Sequence, residues 1–221
     1  MSAKRTKLCS HIIKNDTGLA PNPFHRYCTS ALCTPSHMRA KLKGGDWLIG
    51  ISPKSDGHRL VYAMRISQVL EMDEYFKDER FAAKKPKQHG TTIEQCGDNI
   101  YYERGEKWKR LPSRFHNDPR DFEKDKGCPV FVSDHFYYFG DRRVTVPEDL
   151  KEVTQVVRGI RYKDYLVDQF VCGWRRTTSP AVSENHATCH WGGLVENSAI
   201  ASWHRFGFGW DGWSDICGWQ I

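Results

Sequence analysis

The sequence predicts an α+β fold, and three observations carry that prediction. Alternating apolar residues mark short strands through the first two thirds of the chain, helical spacing governs residues 148–174, and turn residues separate neighbouring segments closely enough for hairpins. A chain of 221 residues can bury one substantial core without covalent staples. Residues 1–176 are therefore read as one domain, with 177–221 as a Trp-, His- and Gly-rich extension packed on it.

Taken in order, residues 8–14 alternate and end in Asn15-Asp16-Thr17-Gly18, a strand followed by a turn whose residues tolerate the required backbone angles. Residues 20–33 contain Pro21, Asn22 and Pro23 and read as a long ordered loop. Thr34-Pro35-Ser36 opens a short helix, with Thr34 as N-cap and Pro35 at the first helical position; it buries Met38 and Leu42 and stops at Gly44. Residues 46–52 form a strand, Lys54-Ser55-Asp56-Gly57 a turn, and residues 59–70 a longer strand, together a β-hairpin. Residues 72–81 change to helical spacing and 84–90 form a basic loop. A second hairpin turns at Arg104-Gly105-Glu106, and residues 130–139 supply a further strand region. Leu150, Val153 and Val157, then Leu166 and Phe170, recur at helical intervals in two closing helices, and no repeat of fixed period is present.

Thirty-three basic residues against 27 acidic give a formal charge of +6, a mixed and mildly cationic surface unlike that of a basic tail. Eight Trp, nine Tyr and eleven Phe offer large flat surfaces that suit stacking on a planar ligand. Residues 8–13 are too short and too polar for a signal sequence, and nowhere do about 18 apolar residues run together. The expectation is a cytoplasmic protein with no membrane partner. Eight Cys scattered from Cys9 to Cys217 lack the compact repeats of a disulfide framework and are expected as thiols or metal ligands.

Several separated motifs then carry a family resemblance. Asp16-Thr17-Gly18-Leu19-Ala20-Pro21-Asn22-Pro23-Phe24, Cys28-Thr29, Cys33-Thr34-Pro35 and Gly45-Asp46-Trp47-Leu48-Ile49-Gly50 stand in order, followed by Leu60-Val61-Tyr62-Ala63-Met64, Gly97-Asp98-Asn99-Ile100-Tyr101 and Ser133-Asp134-His135-Phe136-Tyr137-Tyr138-Phe139-Gly140. Over about residues 8–160 this series resembles the nucleotide modification associated domain family, second type. The resemblance implies a place in systems of bacteria and their viruses that install or process modified DNA bases, and it brings no assigned catalytic residues. A looser resemblance, resting on the Gly-Asp strand start and on a hairpin whose second strand runs on through residues 60–70, is to the PUA-like group that includes base-reading EVE, YTH and ASCH domains. It implies a mixed β-barrel with flanking helices. A fold resemblance is not by itself a function.

Base recognition needs an aromatic stacking surface beside groups that bond the base edge, and Asn22, Phe24, Trp47, Tyr62 and Tyr101 are the candidates. The loop that carries Asn22 precedes the central strand and is where the base is expected to be met, while Gly44, Gly45 and Asp46 read as architectural. Lys84, Lys85, Lys87, Arg110, Arg142 and Arg143, with Lys107, Lys109 and Arg114, could track a phosphate backbone, though a solvated charge run is the plainer reading. Titratable groups for catalysis on an ASCH-like scaffold are Asp16, Lys14 and Tyr62, with Asp98, Asp134 and His135 behind them. Cys28, Cys33 and His37, with His25, have spacings that zinc would accept, but a second compact ligand pair is missing, so buried thiols and solvated histidines are the preferred account and no cofactor is predicted. The sequence thus leaves three readings open: recognition of a modified or flipped base in DNA, an enzyme acting on a modified base or nucleotide, and an interaction module that docks on other proteins of a modification system.

Overall fold

The computed structural model describes residues 5–32, 40–156 and 159–177. The start of the helix expected from Thr34 to Gly44 and the Trp-rich extension lie outside these residues, and residues 40–43, the expected end of that helix, are not helical. Ten strands, β1 (Leu8–Ile12), β2 (Cys28–Ser30), β3 (Trp47–Ile51), β4 (Leu60–Arg65), β5 (Gln68–Leu70), β6 (Tyr101–Arg104), β7 (Lys107–Arg110), β8 (Val130–Ser133), β9 (His135–Tyr138) and β10 (Ile160–Tyr162), form three sheets. The helices are α1 (Met72–Lys77), α2 (Thr92–Gln95), α3 (Pro119–Asp125), α4 (Lys151–Thr154) and α5 (Val167–Thr177).

The larger sheet has the order β10-β1-β3-β4-β9, with β1 and β3 parallel and every other pair antiparallel. All of β3 is buried, which explains its unbroken run Trp-Leu-Ile-Gly-Ile: both faces are covered. On one face Trp47, Ile49 and Ile51 meet Leu150, Val153 and Phe170 from the C-terminal helical segment. On the other, Leu48 packs with Cys9, Tyr62, Met64 and Phe136. Gly50 stands opposite Tyr62 in the antiparallel register, and a Cβ there would lie 2.1 Å from the Tyr62 ring, so only glycine admits the buried phenol.

The fold differs from expectation where the long second strand should run on. Residues 59–70 break at Ile66-Ser67 into β4, in the five-stranded sheet, and β5, in a three-stranded sheet of order β2-β8-β5. The segment it pairs with breaks at Asp134 in the same way, β8 in one sheet and β9 in the other. Ser133 holds this corner: its hydroxyl bonds the Arg65 carbonyl at 2.6 Å and accepts from His135 N at 3.1 Å, while Ser67 N reaches Val132 O at 2.9 Å. The double-stranded ribbon therefore bends from one sheet into the next, the device by which orthogonal sheets share strands. The result is a mixed α/β architecture of open sheets, not the closed barrel expected, because the described strands pair end to end without closing on themselves. A third core lies under the smaller sheet, where Leu70, Met72, Tyr75 and Phe81 meet Ile100, Tyr101 and Val130.

Candidate functional site

Strand register brings together the residues of one cavity. Trp47 pairs with Arg65 and Arg65 with His135, so three side chains from three adjacent strands stand in one row on one face, and Tyr137 follows two residues along. With Thr6, Gly45 and the α5 residues Val167 and Val171 they line a cavity of about 220 Å³. The Trp47 ring is held edge-on between His135 and Phe170, at 5.5 Å from each, and His135 meets Tyr137 edge-on at 5.8 Å. Arg65 is exposed, and its guanidinium has no hydrogen-bond or ion-pair partner among the described residues. Aromatic walls, an aliphatic side and one unspent cation make a place for a flat, polar-edged group, and no carboxylate lines it. Cavities for drug-sized ligands span about 300–1,000 Å³, so this one suits a fragment the size of a single base.

The loop between β1 and β2 is built differently. Asn22 Nδ2 donates to the Cys96 carbonyl at 2.9 Å, and Asn22 Oδ1 accepts from Phe24 N at 3.2 Å and Lys84 Nζ at 2.7 Å. Lys84 Nζ also donates to the Asn22 carbonyl at 3.0 Å. Beside them Asp98 accepts from the hydroxyls of Thr29 and Tyr75, both at 2.7 Å. Asn22, Thr29, Lys84 and Asp98 are each at most 1% exposed. Burial pulls the Lys84 ammonium down to about 8 against the attraction of Asp98, and burial raises the Asp98 carboxyl against the attraction of Lys84. Gly97 makes this proximity feasible, since a Cβ there would lie 2.4 Å from the Lys84 carbonyl oxygen and 2.6 Å from Pro86 N.

Of the residues expected at a base, only Trp47 lines this cavity. Asn22 has its amide committed inside the core, Phe24 lies over Gly18, and Tyr62 and Tyr101 are buried. The catalytic candidates separate likewise. Tyr62 is hydrogen-bonded to His11 Nε2 at 2.7 Å, with its hydroxyl pushed well up by burial. Asp16 accepts from Tyr138 OH at 2.7 Å, its carboxyl raised by burial in spite of that bond, and Lys14 is exposed. Among the phosphate candidates, Lys84 faces the core because its ammonium is drawn to Asn22, so it offers no charge to solvent. Lys85 lies over the Phe76 ring, Lys87 pairs with Glu94, Arg110 is held by the carbonyls of Asn117 and Asp118, Arg143 pairs with Asp56, and Arg142 is exposed. Cys28 is buried, Cys33 and His37 lie outside the described residues, and no group of three or more potential metal ligands gathers among the described residues.

The cavity owes its missed members to pairing. Arg65 looks like any polar position of an amphipathic strand, and nothing local shows that it stands between Trp47 and His135. No helix of the described residues is long and apolar enough to cross a membrane. No curated protein and no solved structure matches the chain. One family model does, nucleotide modification associated domain 2, over residues 5–177.

Proposed function

We propose a function from the premise that this match establishes: the chain belongs to the nucleotide modification associated domain 2 family. Its role lies with nucleotide modification and its partners are nucleic-acid-related. Within that setting the protein reads a modified or flipped base in DNA, in the cytoplasm of a bacterium or a phage-infected cell, and does so in the Trp47 cavity. The observation that carries this reading is the row Trp47-Arg65-His135, with Tyr137 beside it, around a space of about 220 Å³. A base that leaves its stack needs a replacement surface, which Trp47 and Tyr137 supply, and a donor for its acceptor edge, which Arg65 supplies as a planar fork. Exposed basic residues, Lys87 and Arg142 among them, add salt-dependent attraction to the backbone. The kinship with PUA-like base readers belongs to the same proposal and rests on the sequence resemblance, since the strand expected through residues 60–70 breaks at Ile66-Ser67.

The test is a titration of the full chain with DNA carrying unmodified, hydroxymethylated or glycosylated pyrimidines, at two salt concentrations. One modified DNA should bind best, and Tyr137→Ala or Arg65→Ala should remove that preference while leaving the salt-dependent part of the affinity. Arg65 is exposed, whereas Tyr137 also packs against the core beneath β3, so urea unfolding of Tyr137→Ala accompanies the titration. Equal affinity for every DNA in the wild-type chain would refute base recognition.

A further inference from the structure

A second cleft, of about 400 Å³, shares no lining residue with the Trp47 cavity. Lys87 and His89 stand on one wall, Ser113, Arg114 and Asn117 on the other, and no carboxylate lines it. Gln95 ties the walls together: its Nε2 donates to the Gly90 carbonyl at 2.7 Å and its Oε1 accepts from Arg114 Nη1 at 2.7 Å. The first wall is seated by the close approach of Gly97 to residues 84–86 and by Lys87 N donating to Glu94 O at 2.9 Å. The second follows β7, where Leu111 N reaches Ile100 O at 2.8 Å, and is pinned by the buried pair His116 Nε2 and Asp125 Oδ2 at 2.5 Å. The walls are therefore set before any ligand arrives.

Two groups in this cleft are left over. Gln95 fixes one end of the Arg114 guanidinium, and the other nitrogens have no hydrogen-bond partner among the described residues, so the fork is aimed and unfilled. Ser113 is 7% exposed and its hydroxyl has no partner among the described residues, a deficit that a ligand oxygen or a water would have to meet. Lys87 is engaged with Glu94 at 2.6 Å, but both side chains are open to solvent, and exposed pairs of this kind hold weakly enough to be exchanged.

We propose that this cleft binds a phosphate group, gripped by Arg114 in bidentate fashion with Lys87 as a second charge and the Asn117 amide and Ser113 hydroxyl as neutral donors. Planar guanidinium forks match phosphate oxygens, and the one carboxylate beside the cleft, Glu94, is balanced by Lys87, which has to exchange it for the phosphate. That phosphate has two sources, the terminal group of a free nucleotide and the backbone of a strand.

Calorimetric titration of the full chain with thymidine, thymidine 5′-monophosphate and an oligothymidylate without terminal phosphates separates them. Arg114→Ala should weaken binding of one or both phosphate-bearing ligands by about ten- to a hundredfold, the range for losing charge-assisted hydrogen bonds, with Arg114→Lys in between. Thymidine binding should be unchanged. A loss confined to the monophosphate assigns the cleft to free nucleotides, and one confined to the oligonucleotide assigns it to backbone. Wild-type affinity for both in Arg114→Ala and in Asn117→Ala, or no binding by the wild-type chain, overturns the proposal. Failure of Tyr137→Ala to alter base preference would strike the base reading alone, because Tyr137 lines only the other cavity.

Discussion

Lys84→Met removes a buried ammonium and leaves an unbranched side chain of similar reach, so the charge is the main thing that changes. In the folded chain Lys84 loses its proton near 8, whereas in the unfolded chain it keeps it to the ordinary 10.5. Below about pH 8 the cost of burying the charged form is present in full, and it fades as the pH rises toward 10.5. The linkage relation puts that cost at about 3 kcal/mol at pH 8 and about 1 kcal/mol at pH 10, each good to about one pKa unit's worth of energy. Wild type minus Lys84→Met should therefore grow by about 2 kcal/mol in unfolding free energy between pH 8 and pH 10. Buried thiols and phenols with raised values lose stability over the same range, but they do so in both proteins, so the difference reads Lys84 together with the Asp98 carboxyl that its charge holds down. Urea unfolding followed by far-UV circular dichroism at pH 8, 9 and 10 supplies the measurement. A difference that stays flat or shrinks with pH would mean that the ammonium is solvated and that the network around Asn22 is not as described.

Three further outcomes follow from the packing. Gly50→Ala sets a methyl 2.1 Å from a fully buried ring and should lower the urea midpoint by the equivalent of at least about 1–3 kcal/mol, the usual cost of overpacking; a neutral result would show that Tyr62 has room to move. Asp125→Ala removes the acceptor of the buried His116 ring nitrogen and should cost about 1–3 kcal/mol in the same assay, the penalty for an unmet buried donor, whereas no loss would argue that the pair is solvated. Burial holds Cys9 up at about 12 and Cys96 and Cys128 at about 11, so alkylation at pH 8 should label the exposed Cys172 well before these three, as read by peptide mass spectrometry; equal rates would contradict their burial.

What could be read from the sequence was whatever a local pattern determines. The apolar run at β3 and the turn at Arg104-Gly105-Glu106 both found their strands, because alternation and turn chemistry act over a few residues. The α3 helix carried its own signal, Asp118 as N-cap before Pro119 at the first helical position, and could have been found from it. The break at Ile66-Ser67 could not, since alternation continues through it and the residue that fixes the corner, Ser133, is 68 positions from the carbonyl it bonds. β10 is a three-residue edge strand with exposed side chains, too short to show periodicity. Lys84 was the least legible of all. In the run Lys84-Lys85-Pro86-Lys87 it has the composition of a solvated loop, and only the approach of Gly97 and the oxygens of Asn22 draw it inward.

The same contrast decides where a ligand should sit. A base edge offered to Asn22 would have to displace three hydrogen bonds that its amide already makes, each worth about 1 kcal/mol net and more where Lys84 is the partner, inside a core that excludes water. At the Trp47 cavity the Arg65 guanidinium has no hydrogen-bond or ion-pair partner to give up among the described residues, and the half-buried Tyr137 ring exchanges solvent for a flat surface. The polar residues of the β1–β2 loop are thus spent on rigidity, which holds the β2 end of the smaller sheet in place, and through the shared β8–β9 ribbon that sheet continues into the strand that carries His135 and Tyr137. Loosening the Asn22 network should accordingly reach base preference only through stability, whereas Arg65 and Tyr137 should alter it directly.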